Sequence, residues 1–96
     1  MNKIAGLLVS VFLVAVTLTW DAAPGSIGSK LHCGPSSGNY STVVDTGASV
    51  EHTIELPGDY YCAASAYNAI EESGFSNELF FTVRLGAPQR LRLKGL

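Results

Sequence analysis

The sequence predicts an all-β chain folded as an antiparallel β-sandwich of about six to seven strands, and three observations point there. Short runs alternate apolar and polar residues on a two-residue period. Clusters of Gly, Pro, Ser, Asn and Asp separate them at hairpin spacing. No helical periodicity appears after residue 16. The 96 residues allow one small domain of ordinary globular composition, 47% hydrophobic and 15% charged. A core that small gains more from a cross-link than a larger one does.

Taken in order, Val16, Leu18 and Trp20 alternate with Thr17 and Thr19, and Ala22-Ala23-Pro24-Gly25 stops this first strand. Gly28 to Cys33 forms a second, with Leu31 and Cys33 on one side and Lys30 and His32 on the other, His32 facing solvent. Gly34-Pro35-Ser36-Ser37-Gly38-Asn39 is dense in breakers. Tyr40 to Asp45 has a mixed pattern that suits a sheet edge. Val50, His52, Ile54 and Leu56 then share a face, opposite Glu51, Thr53 and Glu55. Pro57 and Gly58 turn the chain into the best candidate for a central strand, where Tyr60, Cys62, Ala64 and Ala66 fall inward. Tyr60, just past that turn and two residues before a buried position, has the placement of a tyrosine corner. After a polar loop from Asn68 to Asn77, Leu79, Phe81 and Val83 close the domain. The expected structural residues are Trp20, Leu31, Ile54, Leu56 and Tyr60.

The termini read differently. Lys3 followed by the apolar run Ile4 to Val16 matches a secretory signal, and is too short for a comfortable membrane span. Residues 1–16 are therefore read as a signal peptide or N-terminal apolar segment, 16–84 as the domain and 85–96 as a basic tail. Export implies a secreted, periplasmic or cell-surface location, and an even cysteine count there permits a disulfide. The net charge of −2 hides an asymmetry: all eight acidic residues lie between Trp20 and Val83, where Lys30 is the only Lys or Arg. Arg84, Arg90, Arg92 and Lys94 follow, candidate contacts for an anion or simply a solvated tail or an added strand.

No catalytic constellation emerges. His32 and His52 are the only imidazoles, serines are scattered through loops, and no Gly-x-Ser-x-Gly, His-Glu-x-x-His or phosphate-cradling loop occurs. No metal ligand set or cofactor is expected, and Glu71-Glu72 reads as a solvated loop pair.

Jointly, several pieces resemble a fibronectin type III domain, especially compact versions in exported bacterial and phage proteins. They are Val16-Thr17-Leu18-Thr19-Trp20-Asp21, Gly34 to Tyr40, Leu56-Pro57-Gly58-Asp59-Tyr60, Ala66-Tyr67-Asn68, and Glu72-Ser73-Gly74-Phe75-Ser76-Asn77-Glu78. The resemblance covers about residues 16 to 83 and implies an immunoglobulin-like sandwich. It departs in two ways: the family's first strand falls in the apparent signal segment, and Cys33 and Cys62 stand where aromatic or aliphatic residues are usual. The implied fold makes the strands of Cys33 and Cys62 neighbours, with both side chains inward. A bond between them and a pair of reduced, buried thiols are both open readings at this point.

The resemblance implies a non-catalytic exported interaction, adhesion or spacer module whose partner is a protein or surface glycan. The alternative is a carbohydrate-binding or accessory module serving a separate enzyme or virion, favoured if Tyr40, Tyr61 and Tyr67 form an exposed, coplanar set. Nothing favours nucleic acid, and a membrane is a partner only if the N-terminal segment stays attached.

Overall fold

The structure is a computed structural model and describes residues 12–95. Six strands form two antiparallel sheets, and no helix occurs among the described residues. The strands are β2 (Val16–Thr19), β3 (Gly28–Gly34), β4 (Thr42–Gly47), β5 (Glu51–Ile54), β6 (Gly58–Tyr67) and β7 (Leu79–Val83). The larger sheet runs β7-β6-β3-β4 and the smaller β2-β5. A two-residue β1 (Phe12–Leu13) adds in parallel at the outer edge of β7, opposite Thr82 and Val83. The end of the apolar N-terminal run is thus part of the sheet. The rest of the expected signal segment, residues 1–11, lies outside the described residues.

Alternation explains the two layers. Leu31 and Cys33 of β3, Cys62 of β6, and Phe81 and Val83 of β7 turn inward, and Leu18 of β2 meets them from the smaller sheet. Val16, Trp20, Ile54 and Tyr60 pack around that cluster half-buried. Trp20 is tied to the smaller sheet by its N–H, which donates to the Val50 carbonyl at 3.1 Å. Its indole Nε1 is buried without a hydrogen-bond partner among the described residues. As expected for a mixed pattern, β4 is an edge strand.

The centre of the core is covalent. Cys33 and Cys62 stand directly opposite each other in the β3–β6 ladder and form a disulfide. Their Cα atoms are 4.2 Å apart, close to the roughly 4.5 Å of an antiparallel pair without mutual backbone bonds, where side chains approach best. The register, set by the alternation of both strands, therefore decides between the two cysteine readings in favour of the bond.

Turn chemistry fixes the ends. Ser26 N–H donates to Ala23 O at 3.1 Å across Pro24 and Gly25, and Gly25 has φ +81°, the left-handed residue a type II turn requires. Gly34 is needed for space, since an added Cβ would collide with the Asn39 carbonyl of the turn folded against it. Tyr60 Oη donates to Leu56 O at 2.6 Å, and its ring stacks on Phe81 at 5.4 Å. Leu56 departs from the sequence-based expectation. Strand β5 ends at Ile54, so the alternation lapses and the Leu56 side chain is 74% exposed. Its structural contribution is its carbonyl.

Closing a loop of 29 residues stabilises by roughly 3 to 4 kcal/mol on the chain-entropy account. The double variant Cys33→Ala/Cys62→Ala is accordingly expected to lose at least about 3 kcal/mol of unfolding free energy in urea titrations. A loss under about 1 kcal/mol would contradict that role for the bond.

Candidate functional site

The outer face of the larger sheet is where the chemistry-bearing side chains gather. Opposite in parity to the core, β3 presents Lys30 and His32, and β6 presents Asp59, Tyr61, Ala63, Ser65 and Tyr67. The flanking strands add Val43 and Asp45 from β4, and Phe80 and Thr82 from β7. Such a face ordinarily meets solvent, yet His32, Ala63 and Ser65 are buried. This corrects the expectation that His32 is solvent-facing.

Loop 68–78 contributes that cover because it is bonded to β6 along its length. Ser73 and Ser76 each bind both backbone groups of one strand residue. Ser73 N–H donates to Ala66 O at 2.7 Å while its Oγ accepts from Ala66 N–H at 2.9 Å. Ser76 does the same with Ala64, at 2.8 and 2.9 Å. A hydroxyl thus substitutes for the ladder carbonyl that β7, paired only as far as Cys62, does not supply. Asn68 Oδ1 accepts from Ile70 and Glu71 N–H, turning the chain into the loop. Phe75 then packs edge-on against His32 at 4.8 Å and Tyr40 at 5.1 Å.

Two carboxylates pin the loops. Glu72 accepts from Ser65 Oγ at 2.8 Å and from Lys30 Nζ at 3.1 Å, with His32 Nε2 3.6 Å away. Glu78 accepts from Tyr40 Oη at 2.6 Å, Ser37 Oγ at 2.7 Å and Gly38 N–H at 2.9 Å, closing the 35–41 turn over the face. These bonds favour the charged form. The Ser65 hydroxyl, then the Lys30 ammonium, hold the Glu72 carboxyl below the usual carboxylate range. The Tyr40 hydroxyl, then Ser37 and Gly38, do so for Glu78. Asp45 is held low by Gly47 N–H and then by the Tyr67 hydroxyl, which donates to it at 2.8 Å. Tyr40 and Tyr67 are raised in turn by the same bonds to Glu78 and Asp45.

The His32–Ser65–Glu72 chain resembles a hydrolytic triad in composition and differs in sense. Ser65 Oγ lies 2.9 Å from His32 Nε2 but gives its one proton to Glu72, so its oxygen accepts from the imidazole N–H. Nucleophile activation needs the reverse, an imidazole that takes the serine proton. The arrangement fastens a loop.

The other sequence-derived residues distribute simply. Trp20, Leu31, Ile54 and Tyr60 surround the disulfide, whereas Arg84, Arg90, Arg92 and Lys94 lie on an exposed segment. Glu72, read as solvated, is a bridging residue. No group of three or more His, Cys, Asp or Glu able to hold a metal ion occurs among the described residues. Nor is any described helix long and apolar enough to cross a membrane. The sequence reading gives Ser65, Ser73, Ser76 and Glu78 no role of their own, although serines spaced Ser-x-x-Ser in the loop that follows an Ala-x-Ala strand are a readable sign of loop-to-strand pairing. Neither the models of known protein families nor the curated proteins offer a match to this sequence. Fold and surface together define an all-β sandwich domain with an internal disulfide and a loop-covered outer face.

Because the folded pKa values of Glu72, Glu78 and Asp45 are depressed, their contribution is present above the unfolded carboxylate pKa and lost as pH falls through the folded ones. Unfolding free energy is expected to hold steady near neutrality and to decline in acid. Glu78→Gln should be less stable at pH 7 and show a shallower acid decline. Equal acid slopes for both proteins in urea titrations would contradict this assignment.

Proposed function

We propose that the chain is a non-catalytic, exported module of fibronectin type III type that serves interaction, adhesion or spacing, with contacts carried by loops and edge strands. The observation that carries this reading is where the polar chemistry is spent. His32, Ser65, Glu72, Glu78 and Asp45 are each engaged in holding a loop or turn against the sheet. What they leave at the surface is an apolar and aromatic patch, with Val43, Phe75 and Phe80 between 52% and 58% exposed and Tyr61 against Phe80 at 4.7 Å. Side chains of that kind favour contact with another surface. The strand order, with two edges of the sandwich open, and the Tyr60–Leu56 bond agree with the resemblance. A disulfide suits an oxidising compartment outside the cytosol.

The glycan-binding alternative draws less support. Tyr40 is tied to Glu78, Tyr67 to Asp45, and Tyr61 packs on Phe80, so the three rings serve three separate contacts. Titration with soluble oligosaccharides, followed by the aromatic resonances, is expected to leave all three tyrosines unshifted, and a joint shift would favour the alternative. For export, mass spectrometry of the chain from its producing cells should find N-terminal residues of the apolar run removed and the mass two hydrogens below the reduced value. A full-length, reduced chain would contradict the exported reading.

A further inference from the structure

On the side of the sandwich where β4 and β5 face each other across the two layers lies a cleft of about 590 Å³. Leu31, Val44, His52, Ile54 and Tyr60 line it, together with Cys33 of the disulfide. Both of its lips are sheet edges, since β4 ends the larger sheet and β5 is the outer strand of the smaller. A free edge offers backbone donors and acceptors to an added strand. The bond from Trp20 N–H to Val50 O sets the ladder alternation so that Glu51 and Thr53 turn their backbone groups away from β2, toward that edge. There the Ser49 hydroxyl holds those of Glu51 at 3.4 and 3.2 Å, and an added strand would take its place.

The same chain carries a segment suited to the site. Residues 90–94 read Arg-Leu-Arg-Leu-Lys and lie in solvent, with Leu91 102% and Leu93 72% exposed. Among the described residues no ion pair reaches Arg90, Arg92 or Lys94. Beside β5, a strand of this pattern places both leucines on the side of His52 and Ile54, facing the cleft. Its cations then fall on the side of Glu51, Thr53 and Glu55. In either strand direction Arg90 and Lys94 meet Glu51 and Glu55, two opposite-charge pairs of three.

We propose that residues 90–94 of one copy add as a strand to the free edge of β5 in a second copy. A second copy is the occupant because donor and acceptor share one sequence, the basic tail complements the acidic body, and the segment stands exposed while its own cleft is open. The connecting residues 85–89 leave beside Pro57 and Asp59 and reach about 20 Å when extended. Reciprocal exchange of tails closes a dimer, and one-way addition builds a row. The inference goes beyond the module reading by naming a partner, and it stands whether or not the chain is exported.

Sedimentation velocity on the disulfide-bonded full chain, from low micromolar to the highest soluble concentration, tests it. Association is expected for the native chain and expected to vanish in Leu91→Asp/Leu93→Asp, whose changes lie outside the folded body. Glu51→Lys/Glu55→Lys should weaken association at least tenfold, and combining it with Arg90→Glu/Lys94→Glu should restore it. Three results would overturn the proposal: a monomer at every concentration, association that survives the leucine changes, or a monomer whose residues 90–94 are protected from hydrogen exchange by their own domain.

Discussion

The register that sets Cys33 opposite Cys62 is the constraint on which the rest of the domain depends. Side chains of a strand alternate, so fixing one pair fixes the destination of every other residue on both strands, and a slip of one would exchange core for surface. With that pair inward, Leu31, Leu18, Phe81 and Val83 close around the sulfurs. With the same pair inward, Lys30, His32 and Ser65 must lie on the far side, where they meet Glu72 and hold loop 68–78 down. One ladder therefore organises both the apolar layer and the polar one. In a chain of 96 residues with few large side chains fully buried, a covalent tie at the centre of that ladder substitutes for packing that a larger core would provide.

The polar face shows how a small sandwich uses its ionisable groups. Carboxylates in loops are usually left to water, but here Glu72 and Glu78 each gather several donors from distant parts of the sequence. Tyr67 covers Gly28, where an added Cβ would meet the ring, and hands its hydroxyl to Asp45. The loops are held by hydrogen bonds more than by burial, which fits their high exposure. A loop-covered face held this way needs no additional core, and its carboxylate bonds make it sensitive to acid.

Much of the framework was legible in the sequence because strand patterns and turn residues are local signals. The alternation of Tyr60 to Tyr67, the breakers around Pro24 and Gly38, and the Pro57-Gly58 turn before Tyr60 all express themselves within a few residues. What stayed hidden depends on pairing between segments. Leu56 fits the alternation of its neighbours but lies beyond the last β5 pair, at Ile54, so its side chain is free. His32 has the parity of a solvent-facing residue, but Phe75, 43 residues on, and Tyr40 pack against its ring. Ser73 and Ser76 looked like ordinary loop residues because their partners, Ala66 and Ala64, contribute backbone and so leave no mark on side-chain pattern.

The direct test of this dependence is residue-resolved hydrogen exchange on the oxidised and the reduced protein. In the oxidised form the amides of Leu31 to Cys33 and Cys62 to Ser65 should be the slowest, and reduction should speed exchange at Ser73 and Ser76 together with them. Slowest exchange in β2 and β5, or loop amides indifferent to reduction, would show that the β3–β6 pair is not the element holding the two faces in place.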